Sequence, residues 1–138
     1  MSEKKRVLVL CTGNSARSQM AEGILRHIAG DRFEVQSAGV SPTNVRPEAI
    51  DAMREIGVDI SFHRSKSVDE FVDQTFDYII TVCDNAKESC PVFSGNATRI
   101  HWSFDDPAAV IGTNDERLQA FRDARDQIEE KLKSFVGQ

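Results

Sequence analysis

A short apolar run, Val7 to Leu10, passes without a break into Cys11-Thr12-Gly13-Asn14-Ser15-Ala16-Arg17-Ser18, and an amphipathic segment follows at once. Few folds accept that succession. A continuous, branched apolar run marks a strand buried on both faces of a parallel sheet, and Arg6 to Leu10 is read as that strand. From Ser18 to Ala29 the apolar residues Met20, Ala21, Ile24, Leu25 and Ile28 share one helical face, with Gly30 as the expected stop. Strand, tight loop and helix together make the first half of a βαβ unit.

The rest of the chain repeats the alternation. Phe33 to Ala38 reads as a second strand. Pro47 opens a second helix with Ala49, Ile50, Met53 and Ile56 inward and Gly57 as its cap. Ser61 to Asp73 is polar, with a short helix expected near Val68 to Val72. Phe76 to Val82 and Thr98 to Trp102 read as the third and fourth strands. Asp115 to Val136 carries Leu118, Phe121, Ile128, Leu132 and Phe135 at helical spacing. The pattern predicts an α/β fold with a parallel sheet and helices on both faces. The 138 residues, 40% apolar and 28% charged, suit a single domain spanning 1–138.

Several function classes recede. No run is long and apolar enough to span a bilayer, and Val7 to Leu10 falls short of the roughly 7–15 apolar residues of a signal-peptide core; a cytoplasmic location is expected. The net charge of −5 argues against nucleic-acid binding. It leaves room for a small anion, because backbone amides and one arginine can hold an oxyanion on an acidic protein. The three cysteines, Cys11, Cys83 and Cys90, lack the spacing of a zinc site, so no metal is expected. An odd count in a reducing compartment points to chemistry more than to stapling.

In parallel α/β sheets ligands sit beyond the carboxyl ends of the strands. The loop after the first strand, the Cys83–Cys90 segment after the third and Phe104-Asp105-Asp106-Pro107 after the fourth should therefore converge on one site. Cys11 and Arg17 form a Cys-x5-Arg loop at a helix N-terminus, where inward amides and the helix dipole favour an anion. Thr12, Gly13, Asn14, Ser15, Ala16, Arg17 and Ser18 are the candidate substrate-binding residues. Gly13 gives backbone freedom, and Arg17 offers a planar fork for two substrate oxygens. The same field favours a Cys11 thiolate, to which the Ser18 hydroxyl is placed to donate, while Asn14 braces the loop. A bare Cys-x5-Arg is a weak motif; the strand before it and the helix after it supply the context that the chemistry needs. Asp106 taken alone is an ordinary turn residue, and Cys83 and Cys90 taken alone are two unrelated cysteines.

The Cys11–Ser18 loop with Asp106-Pro107 resembles the low-molecular-weight protein tyrosine phosphatase superfamily. Ser18-Gln19-Met20-Ala21-Glu22-Gly23, Ser37-Ala38-Gly39 and His101-Trp102-Ser103-Phe104-Asp105-Asp106-Pro107 resemble its arsenate reductase branch more closely. The likeness runs over almost the whole chain and implies a four-stranded parallel sheet. It implies that Asp106 acts as general acid and that Cys11 attacks arsenate as nucleophile. Cys83 and then Cys90 act as resolving cysteines in a thiol–disulfide relay, with phosphate or sulfate as substrate analogues. It implies no tightly bound cofactor, thioredoxin as the external reductant, and a monomer. If residues 83 to 90 were helical, Cys83 and Cys90 would stand about 10.5 Å apart at Cα, against the ~4.4–6.8 Å that a disulfide needs, so the segment is expected to rearrange on oxidation. Asp84-Asn85 as a cap and Pro91 as a terminator fit a short element able to do so.

Two departures from the resemblance stand out. Asn14, Glu22 and Ser37 match three of the four ligands of a potassium site found in some reductases of this branch, but Lys66 stands where the fourth, an aspartate, is expected; no potassium site is expected, and Lys66 is read either as an ammonium paired with Glu22 in place of the cation or as a solvated surface lysine. Ala108 and Ala109 follow Asp106-Pro107 where tyrosine phosphatases carry aromatic residues, so aryl phosphates should bind weakly. His27, His63 and His101 are expected to be structural or surface residues. Two rivals remain: a phosphatase of the same fold, and a non-catalytic redox or oxyanion-binding module.

Overall fold

The computed structural model describes residues 4–83 and 95–137. Cys90, Asp84-Asn85 and Pro91 lie outside the described residues. The elements are β1 (Lys5–Cys11), α1 (Arg17–Ala29), β2 (Phe33–Gly39), α2 (Pro47–Arg54), β3 (Tyr78–Thr81), β4 (Thr98–His101) and α3 (Asn114–Val136), with single 3-10 turns at Val68–Glu70 and Pro107–Ala109.

The four strands form one parallel sheet in the order β2-β1-β3-β4. β1 is central, and Val7 to Leu10 are fully buried, as a strand covered on both faces requires. β2, at one edge, alternates buried with exposed positions over its first half, and β4, at the other, buries none. The register sets Val9 between Ser37 and Ile80 and Cys11 beside Gly39. From β1 the chain moves to β2 on one side and returns to β3 on the other. The carboxyl end of β1 is therefore a topological switch point, where open α/β sheets hold their ligands.

α1 packs on α3, and α3 also meets α2. Of the faces expected, Met20, Ala21, Ile24 and Leu25 from α1, Ala49 and Met53 from α2, and Phe121, Ile128, Leu132 and Phe135 from α3 are buried, while Ile28, Ile50, Leu118 and Ile56, the last just beyond α2, are half-buried against them. Tyr78 meets the Phe135 ring edge-on at 5.0 Å and is a packing residue.

Helix ends account for most differences from the expected boundaries. α2 ends at Arg54 because Gly57 takes a left-handed φ of 79° and closes a Schellman motif, with Val58 N donating to Met53 O and Gly57 N to Arg54 O, each at 3.0 Å. α3 begins at Asn114, where Thr113 and Glu116 form a reciprocal capping box. The short helix expected near Val68 to Val72 is one 3-10 turn, capped by the Ser67 side chain accepting from Asp69 N. β3 starts at Tyr78, two residues late; Asp77 N already donates to Arg6 O at 2.9 Å, and Phe76 lies under the Arg6 guanidinium, 4.5 Å from it.

Gly39 joins fold to site. A Cβ there would stand 2.5 Å from Thr12 O and 2.8 Å from Asn14 N, backbone atoms that yield poorly. Gly39→Ala is expected to lower unfolding free energy by about 1–3 kcal/mol in urea denaturation, the usual cost of overpacking. A change below about 0.5 kcal/mol would mean that the loop gives way freely.

Candidate active site

The loop from Cys11 to Arg17 leaves β1 and enters α1 with no side-chain cap and no acidic residue in the helix's first turn. The N–H groups there are thus left for an anion. Cys11 is buried and free. Its Sγ lies 2.8 Å from Ser18 Oγ. Ser18 Oγ accepts from Asn14 Nδ2 at 2.8 Å, which leaves the hydroxyl proton to point at the sulfur. Arg17 donates from Nη1 to Phe104 O at 3.0 Å, and its Nη2 stands 3.9 Å from Asp106 Oδ2. The β4 loop therefore holds the guanidinium over the oxyanion loop.

Asn14 adopts a left-handed φ of 48°, a conformation that asparagine tolerates better than most residues. Every polar atom of its side chain is used. Nδ2 donates to Ser18 and, at 2.9 Å, to Ser37 Oγ. Oδ1 accepts from Gln19 Nε2 at 2.9 Å and from Lys66 N at 2.8 Å. Its backbone carbonyl takes Ser65 Oγ at 2.7 Å and Gln19 Nε2 at 3.1 Å. Gln19 Oε1 faces His63 Nδ1 at 2.8 Å; since Gln19 spends its amide protons on other acceptors, His63 carries the proton on Nδ1. The sequence pointed to Asn14 as a brace and to His63 as a structural or surface residue, but it did not show that Gln19 of α1 links Asn14 to His63, or that Ser65 reaches Asn14, because His63 and Ser65 arrive on the β2–β3 connection.

The other expected residues gather at the same edge. Cys83, buried and free, follows β3 with its Sγ 3.2 Å from Thr12 Oγ1. Asp106 is half exposed and accepts from Ala108 N at 2.9 Å, which caps the short turn through Pro107. Cys11, Thr12, Gly13, Ser15, Ala16, Arg17 and Asp106 line a cavity of about 300 Å³, joined by Ser41, Thr43 and Arg46, which the sequence did not flag. Asn14 and Ser18 lie behind it, fully buried.

The low molecular weight phosphotyrosine protein phosphatase family model matches residues 6–138. The chain belongs to that family. It is 46% identical to an arsenate reductase of Halalkalibacterium halodurans over 133 residues, 96% of each chain. An arsenate reductase solved in its phosphate-binding state superposes with a TM-score of 0.78 at 30% identity, covering 96% of this chain and 97% of that one. A thioredoxin-dependent arsenate reductase of Corynebacterium glutamicum gives 0.69 at 28%, over 99% of this chain and 65% of that one. The four-stranded parallel sheet expected from the family resemblance is present.

Behind the family loop, Lys66 and Glu22 form the ion pair that was expected there. Glu22, 4% exposed at its side chain, stands 3.2 Å from Lys66 Nζ and 2.9 Å from Arg26 Nη1, and accepts from Ser37 Oγ at 2.6 Å. Lys66 Nζ also donates to Gln36 Oε1 at 3.1 Å. Burial pushes the Glu22 carboxyl up, but Lys66, the Ser37 hydroxyl, His63 and Arg26 pull harder, so it ends below the ordinary glutamate value. Burial holds His63 below the usual imidazole value, with Glu22 opposing and Arg26 and Lys66 assisting. The Lys66 ammonium fills the position of charge, so these residues do not fit a potassium ion.

Both shifts favour the unprotonated form of the folded chain. Each contributes stability above its unfolded value and loses it as pH falls, His63 from about 6.5 and Glu22 from about 4.5 downward. Lys66→Met is expected to destabilise by roughly 1–3 kcal/mol at neutral pH, below the ~3–5 typical of a broken buried pair because Arg26 remains, and to move acid unfolding to higher pH. Replacing sodium by potassium at matched ionic strength should leave wild-type melting unchanged; a clear rise would return the cation to this site.

Proposed function

We propose that this protein reduces arsenate to arsenite by a three-cysteine relay. The observation that carries the reading is a second free thiol, Cys83, at the rim of an oxyanion loop whose own thiol, Cys11, is aimed into the cavity's lining. A phosphatase has no use for it, whereas a two-electron reduction needs a second thiol. The arsenate reductases among its relatives support the substrate.

The chemistry follows from the geometry. The loop amides and Arg17 hold the oxyanion. Cys11 thiolate attacks arsenic, and Asp106 gives a proton to the departing oxygen, which leaves as water. Cys83 thiolate then attacks the Cys11 sulfur; the S–As bond breaks with its electron pair on arsenic, releasing arsenite and a Cys11–Cys83 disulfide. Cys90 thiolate attacks Cys83, frees Cys11 and leaves a Cys83–Cys90 disulfide. An external dithiol reduces that bond, and thioredoxin is the reductant in keeping with the Corynebacterium relative. Such a relay runs in a reducing compartment, which favours the cytoplasm. The first half of the cycle serves phosphate esters as well, with water resolving the phosphoryl-cysteine, although Ala108 and Ala109 offer no ring to stack on.

Cys83→Ser separates the two chemistries. Arsenite production should fall to background while slow hydrolysis of a small phosphate ester persists. Reduction that survives this substitution at more than about a tenth of the wild-type rate would exclude Cys83 as the resolving thiol.

A further inference from the structure

The cavity over the oxyanion loop is larger than the oxyanion. It has a volume of about 300 Å³, and a tetrahedral oxyanion has only five heavy atoms. The surplus wall comes from residues 40–46, which run alongside the loop. Val40 N donates to Cys11 O at 3.2 Å, Ser41 N to Thr12 O at 2.8 Å, Thr43 N to Gly13 O at 3.0 Å and Arg46 N to Ser15 O at 2.9 Å. Four bonds in seven residues fix this segment to the loop's outward carbonyls, and Ser41, Thr43 and Arg46 line the cavity as a result.

Arg46 is the charged member. It is exposed, occupies the N-cap position of α2 and makes no side-chain cap hydrogen bond. Among the described residues no hydrogen bond or ion pair engages its guanidinium. Glu48, the acid in the first turn of α2, is already held by Arg117 at 2.8 Å and does not neutralise it. Arg17 is partly committed to Phe104 O and Asp106. The one anionic side chain on the cavity wall besides a Cys11 thiolate is Asp106, so without Arg46 the described wall would offer an arriving dianion no uncommitted positive side chain.

The geometry points to Arg46 as a second, substrate-facing guanidinium that recruits and holds the tetrahedral oxyanion at the mouth of the site. It rests on the reading of this cavity as an oxyanion site and adds a residue outside the Cys-x5-Arg loop. Its contribution is electrostatic and exposed, so it acts on affinity and capture more than on the chemical step, and salt screens it.

The test uses inorganic phosphate as the probe and the resting full-length protein. Cys11 is alkylated by iodoacetamide, located by peptide mapping, and the phosphate concentration giving half protection is measured. Arg46→Gln is expected to raise that concentration about 3–10-fold at low ionic strength, with the gap closing to under about twofold in ~0.5 M salt. Arg46→Lys should recover most of the protection. Arg54→Gln, which removes the same charge from the far end of α2, should change little. Equal protection in Arg46→Gln and wild type at low salt, or an equal loss in Arg54→Gln, overturns the assignment. Arsenate that protects Cys11 in an Arg46-dependent way yet is never reduced would remove the reductase reading and sustain this one. Normal reduction with an unchanged phosphate titration in Arg46→Gln would do the reverse.

Discussion

The side-chain amide of Asn14 is the fastening on which the site depends. One of its N–H groups is given to Ser18, whose own proton then faces the Cys11 sulfur; the other is given to Ser37, whose proton goes to Glu22. A single amide thus sets the direction of two hydroxyls, one serving the nucleophile and one serving a buried carboxylate. Its oxygen is pinned by Gln19 and by the Lys66 backbone, so the left-handed turn that aims the loop is held from α1 and from the β2–β3 connection. The oxyanion loop is thus tied by hydrogen bonds to the elements around it, and catalysis by preorganised dipoles requires such a frame.

Charge behind the loop follows from the same fastening. A carboxylate as buried as Glu22 costs several kcal/mol unless it is paired, and here Lys66, Arg26 and the Ser37 hydroxyl surround it. The ammonium arrives on a covalent tether, from the same residue whose backbone N–H grips Asn14. Loop geometry and charge balance are therefore coupled through one residue.

Much of this was legible in the residues. Val7 to Leu10 pointed to a doubly buried strand because the apolar run is short, carries β-branched residues and ends in a small-residue loop, and the helix faces followed from spacing. The Cys11–Arg17 loop was readable because its chemistry is local in sequence. Asp106 needed the family resemblance, since an Asp-Pro pair is first a turn; its carboxylate does cap that turn, from Ala108 N, while standing near Arg17. What could not be read were partners brought in from a distance. His63 touches Gln19 across 44 positions, and the 40–46 segment lines the cavity only because Gly39 lets β2 end against the loop's backbone. Gly57 caps α2 as its place in the sequence suggested, and the Thr113–Glu116 capping box moves the start of α3 by one residue, to Asn114.

The relay stands or falls on Cys90, and the direct measurement is arsenite formed per enzyme with thioredoxin, thioredoxin reductase and NADPH present, for wild type and for Cys90→Ser. The relay gives many turnovers in wild type and about one in the variant, whose Cys11–Cys83 disulfide has no partner to resolve it. Equal multiple turnover in both would contradict the third cysteine's role, and no arsenate-dependent reduction in wild type would return the chain to the phosphatases of its family.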